Sequence, residues 1–135
     1  MRRLLLCLAI GTALVAVPTA TASPTVRLAI VHAFRGCHVW GTSESQPLGP
    51  ARTLTVRRGA RVEVRVNCPM TFQVVQIAGP GTASPTVWQP GTSHTLVFAR
   101  RGLYRFRATS TMTSEQMGLQ TLGPDNVLTL TVRVR

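Results

Sequence analysis

Residues 61–66 read Arg-Val-Glu-Val-Arg-Val, and this short run decides the fold. Three valines alternate with two arginines and a glutamate, so the valines share one face of an extended chain and the charges share the other. A half-buried β-strand needs that pattern, and a helix would scatter it.

Working outward, the same period recurs. Val26, Leu28, Ile30, His32 and Phe34 fall on one face of the segment 26–34. Leu54–Val56 is a short strand ended by Arg57-Arg58-Gly59, and 72–77 is another, stopped by Gly79-Pro80-Gly81. Thr95–Phe98 leads through Arg101-Gly102 into Leu103–Arg107. After a loop of some twenty residues, Leu128, Leu130, Val132 and Val134 share a face of the final strand, 127–134. Residues 42–50 read as a polar loop and 85–91 as a proline-bounded connection. No segment keeps a helical period. Seven or eight short strands with turns every 8–12 residues predict an all-β, antiparallel Greek-key β-sandwich.

The first 22 residues have a different character. Met1-Arg2-Arg3 supplies positive charge, Leu4–Val17 is almost wholly apolar, and Ala20-Thr21-Ala22 offers small residues for a peptidase. These are the three parts of a cleavable signal peptide. The apolar run, about 14 residues, is short of the ~20 that a membrane span needs, and Pro18 breaks a helix before the cleavage point. The expected organisation is a signal peptide over 1–22 and one domain over 23–135. No transmembrane segment is expected after cleavage, and the destination is secreted, periplasmic or cell-surface.

Cleavage changes the cysteine arithmetic. Cys7 leaves with the signal, and Cys37 and Cys68 remain in an oxidising compartment. Such a pair reads as a disulfide closing a loop of about 32 residues, worth roughly 3–4 kcal/mol. The competing reading makes one of them a copper thiolate.

All fifteen basic residues are arginine. Without Arg2 and Arg3, thirteen arginines face Glu44, Glu63, Glu115 and Asp125, a net charge of +9. A surface so charged attracts polyanions. Outward arginines recur as Arg61 and Arg65, Arg105 and Arg107, and Arg133 and Arg135, which would form a basic stripe where strands pair. A solvated strand face gives the same pattern. No basic cluster is interleaved with stacking aromatics, so specific nucleic-acid binding is not expected.

Two longer stretches carry a family likeness. "LTVRRGARVEVRVNC" at 54–68 resembles the cupredoxin element in which a strand, a glycine turn and a second strand end in Asn. "LVFARRGLYRFRATS" at 96–110 is similar to that family's closing hairpin, and "DNVLTLTVRV" at 125–134 fits its last strand. The resemblance implies a cupredoxin-like sandwich and copper as cofactor. The sequence departs from the blue-copper pattern, however. After Tyr104-Arg105-Phe106, where the family supplies Cys, His and Met from one loop, it has no Cys and no His, only Met112 and Met117. Beyond Asn67, Met70 or Phe72 stands near the expected first histidine. A His₂Cys site with axial Met cannot be assembled from these positions.

In the cupredoxin arrangement several strands would finish at one pole, gathering His32, Cys37, His38, Cys68, Met70, Met112 and Met117. Imidazoles and thioethers suit Cu(I). A copper site using His38, Met70 and Met117, with His32 and Met112 nearby, is the sharp expectation. Each residue also has a plain reading. His32 fits a core or edge position, His38 fits a cap on the Cys37 loop, and Met70 fits a gap-filling role. Met112 and Met117 fit packing of a loop over the core, and His94, in phase with Leu96 and Phe98, fits a structural role. No triad context, phosphate loop or zinc spacing occurs, so a non-enzyme is expected. The alternative function is a metal-free cupredoxin-like module that binds a protein or an anionic surface.

Overall fold

The computed structural model describes residues 24–33, 38–44, 46–81, 83–111 and 127–135. Every element in them is a strand: β1 (Thr25–His32), β2 (His38–Gly41), β3 (Pro47–Gly49), β4 (Ala51–Val56), β5 (Arg61–Asn67), β6 (Phe72–Ala78), β7 (Thr86–Trp88), β8 (Ser93–Val97), β9 (Gly102–Ser110) and β10 (Val127–Val134). They form two five-stranded sheets, β3-β2-β1-β5-β8 and β4-β10-β9-β6-β7. The all-β sandwich expected from the period-two runs is therefore present.

Alternation fixes which face turns inward. In β5, Val62, Val64 and Val66 are fully buried, and in β10 Leu128, Leu130 and Val132 are likewise. β9 adds Tyr104, Phe106 and Ala108 to the same core. Burying each large aliphatic side chain stabilises the fold by about 1.5–3 kcal/mol. Trp40 locks the layers together: its indole N–H, on β2 of one sheet, donates to the Thr129 carbonyl on β10 of the other at 3.0 Å.

Two features correct the expected architecture. Ten strands are described rather than seven or eight, because β2, β3 and β7, of four, three and three residues, are too short to show a period. The sheets are also mixed, not purely antiparallel. β1 runs parallel to β5, with Val31 opposite Asn67, and β4 runs parallel to β10, with Val56 opposite Val134. Parallel neighbours require a crossover. Here the chain changes sheet at Gly49-Pro50, between β3 and β4, and Gly49 takes a φ of 133°.

β1 departs from simple alternation as well. Leu28, Ala29, Ile30 and Val31 are all buried. The strand lies between β2 and β5, and its outer face is covered near Gly41, where an added Cβ would fall 2.9 Å from both a Val31 methyl and the Gln46 carbonyl. His32 keeps the phase of Leu28 and Ile30 but takes the edge position, exposed at the strand's end with its ring against His38.

These pairings define two poles. β1, β5 and β9 finish at one of them, where β2, β6 and β10 begin. At the other lie the β4–β5 and β8–β9 turns, joined by the bond from Gly59 N–H to the Phe98 carbonyl at 2.7 Å.

Trp40→Phe removes the hydrogen bond between the sheets while keeping an aromatic ring. Urea unfolding is expected to show a loss of about 1–3 kcal/mol, the cost of a buried carbonyl that loses its donor plus the missing ring volume.

Candidate metal centre

The pole where β1 ends is built from the β1–β2 pair. His32 and His38 lie directly opposite each other in that antiparallel ladder. Their rings meet edge to face, with centroids 5.2 Å apart and planes at 80°. His38 also meets the Phe72 ring at 5.9 Å. Phe72 opens β6 and pairs with Ser110 at the end of β9 and with Trp88 on β7. The two histidines differ in access: His38 is 1% exposed, whereas His32 faces solvent.

The chain reaches Phe72 through Asn67-Cys68-Pro69-Met70-Thr71. Cys68 and Met70 are both buried in the core cluster. Burial pushes the Cys68 thiol above its ordinary range, partly offset by a hydrogen bond from the Met70 backbone. A thiol held protonated this way is inert toward oxidation and a weak thiolate donor. Among the described residues Cys68 has no disulfide partner. Cys37, its expected disulfide partner, lies outside the described residues, as do Met112 and Met117. The Thr111 N–H bond to the Thr71 carbonyl, at 3.0 Å, brings the chain back to this same pole just before residue 112.

Of the sequence-derived candidates, then, the fold places His32 and His38 in contact and Met70 on the adjoining segment. Among the described residues, no group of three or more His, Cys, Asp and Glu side chains could hold a metal ion. The further soft donor beside this pole, among the described residues, is the Met70 thioether. The donors do suit a soft ion. Two imidazoles sharing one ion at about 2 Å per bond have centroids about 5 Å apart when the bonds diverge tetrahedrally, close to the observed 5.2 Å.

The sequence places Phe72 near the expected ligand position but does not reveal its contact with His38, because that contact joins strands of opposite sheets. Nor does it reveal the partner of His94. That ring stacks on Trp88 with centroids 4.9 Å apart and planes at 8°, linking edge strands β8 and β7 of opposite sheets. The Thr92 hydroxyl donates to the Gln89 carbonyl at 2.6 Å, so it must accept from His94 Nε2–H at 2.8 Å. That pins the neutral tautomer. His94 is a structural residue, remote in role from metal binding.

No family model matches the chain, and no curated protein matches it. Among solved structures it is similar to a purple cupredoxin from Nitrosopumilus maritimus, at 16% identity over 79% of this chain and 98% of that one, with a TM-score of 0.43. It is similar to the reduced Cu(I) form of a mutant amicyanin, at 14% identity over 85% and 86% of the two chains, TM-score 0.46. A multi-copper oxidase from Pseudomonas thermotolerans shares 16% identity over 86% of this chain and 30% of that one, TM-score 0.48. The class that the structure itself defines is an all-β sandwich of two five-stranded sheets.

Burial lowers the His94 pKa below its ordinary value. The folded state therefore favours the neutral ring, and the unfolded chain takes up the proton first. The associated stability is present above about pH 6.5, the ordinary histidine value, and is lost as pH falls through the depressed folded value. His94→Phe keeps a ring against Trp88 without the titration. Denaturant midpoints measured downward from neutral pH are expected to fall less steeply for this variant than for the parent chain.

Proposed function

We propose that this chain is an exported cupredoxin-like protein that binds Cu(I) at the histidine-bearing pole, as a carrier or sensor of copper in the export compartment. The observation that carries the reading is the His32–His38 ring contact at 5.2 Å. Two imidazoles in contact across a strand pair are near enough to share an ion once a nitrogen of each turns toward it. Met70 lies in the β5–β6 connection, and Met112 and Met117 follow β9 in the sequence. Thioether donors hold Cu(I) where free thiols would be oxidised. When bound, the ion would supply one-electron or transfer chemistry, and the protein's part is to present His32 at the surface while His38 stays sheltered beneath it.

Export rests on the signal-like residues 1–22, with the domain taken as 23–135. The exported protein is expected to begin at Ser23, which intact mass spectrometry reads directly.

Residues 23–135, which contain every described strand, are expected to take up about one equivalent of Cu(I) against a chromophoric chelator. His38→Ala and Met117→Ala should weaken uptake by about tenfold or more, ~1.4 kcal/mol or above. His32→Ala alters an exposed side chain and so tests the site without disturbing the core. Uptake unchanged in all three variants would sink the copper reading and leave a metal-free module of the same fold.

A further inference from the structure

The pole opposite the histidines has its own chemistry. The sequence writes Arg-Arg-Gly twice, at 57–59 and at 100–102, and the fold brings the two turns side by side. Gly59 N–H donates to the Phe98 carbonyl at 2.7 Å, and Phe98 N–H returns a bond to the Ala60 carbonyl at 3.2 Å. Arg58 N–H donates to the Arg135 carbonyl at 3.0 Å, and the Tyr104 hydroxyl donates to the Arg100 carbonyl at 2.9 Å. The backbones of both turns are thus held while Arg57, Arg58, Arg100 and Arg101 all point into solvent. Arg61 and Arg133, also exposed, extend the cluster at the start of β5 and the end of β10. Glu44 and Glu63 are the acidic side chains among the described residues, and Glu63 already pairs with Arg27 at 3.3 Å. No ion pair among the described residues offsets these six arginines.

A second observation selects the partner. Exposed apolar side chains flank the same turns: Val97 at 59%, Ile77 at 48% and Leu103 at 39% exposure. Beside them opens a cleft of about 280 Å³ with Pro80, Ala83, Val97 and Ala99 in its walls and Arg100 at its side. A linear polyanion gains nothing from exposed valine, leucine and isoleucine, and a nucleic acid would want stacking rings. Tyr104 also lines the cleft, but with 6% of its surface exposed it offers no open face for a base to stack on. Guanidinium groups around an apolar rim match a phospholipid interface, where headgroup phosphates meet the cations and acyl chains accept the apolar tips.

We propose that this arginine pole docks the protein on an anionic phospholipid surface, independently of whether the opposite pole binds copper. Preordered turns lower the cost of presenting the charges. Docking in this orientation leaves the histidine pole facing away from the bilayer.

The test uses residues 23–135 and sedimentation with vesicles of phosphatidylcholine, with or without phosphatidylglycerol. Binding is expected only to the anionic vesicles and should fall with salt. Arg58→Ser/Arg100→Ser/Arg101→Ser should weaken it by about a hundredfold, roughly fivefold per arginine. The single variant Arg58→Ser gives a gentler version with about a fivefold loss. Arg52→Ser/Arg65→Ser/Arg107→Ser removes the same charge elsewhere and should weaken binding far less. Equal losses in the two triple variants would mean that net charge alone acts, overturning the proposal. Val97→Ser/Leu103→Ser should weaken vesicle binding while leaving retention on heparin unchanged. If vesicle binding survives that pair intact, the arginines serve a different polyanion and the membrane assignment fails.

Discussion

The parallel seating of β1 on β5 is the constraint from which the functional geometry follows. Because Thr25 pairs with Arg61 and Val31 with Asn67, the two strands start together and finish together. Had they run antiparallel, His32 would lie beside the arginines at the start of β5. The second parallel pair, β4 on β10, does the same for the other sheet, bringing Val56 and the turn after it beside Val134. One end of the sandwich thereby gathers imidazole and sulfur, and the other gathers guanidinium. Each grouping joins segments distant in sequence, although His32 and His38 share one strand pair and the arginines come as doublets.

How far the sequence reveals this depends on the length of each signal. β5, β9 and β10, with seven to nine residues apiece, show their faces plainly: the valines of β5 and leucines of β10 that share a face are inward, and Arg105 and Arg107 of β9 are outward. β2, β3 and β7 are too short for any periodicity to rise above chance, so a connection was expected where Thr86–Trp88 forms an edge. Strand direction leaves no local trace either. β1 reads the same whether its neighbour runs with it or against it, and the run of four buried residues in β1 reflects a covered outer face that no alternation announces.

The candidate centre was legible in its ingredients and not in its contacts. "CHVW" marks His38, but only the β1–β2 ladder reveals that His32 stands opposite it. Phe72 and Trp88 look like ordinary core residues in the sequence, yet each supplies a ring to a histidine, one edge-on and one stacked. Imidazole is thus used three ways in one small domain: exposed at a strand end, sheltered beneath it, and laid flat on an indole across the open side of the sandwich. Distinguishing these uses takes burial and neighbours, and composition carries neither.

The edges of the two sheets have a consequence for self-association. β3 and β7 are three residues long, and each has a proline at or just before its first residue, so they offer little backbone for another chain to join. β4 carries a charged Arg52 on its border. β8, Ser93–Val97, has five residues, no formal charge with His94 neutral, and an exposed valine at its end. Among the described strands it is the least guarded margin, the seam along which a second copy would find matching donors and acceptors if the protein were ever to grow into a fibril.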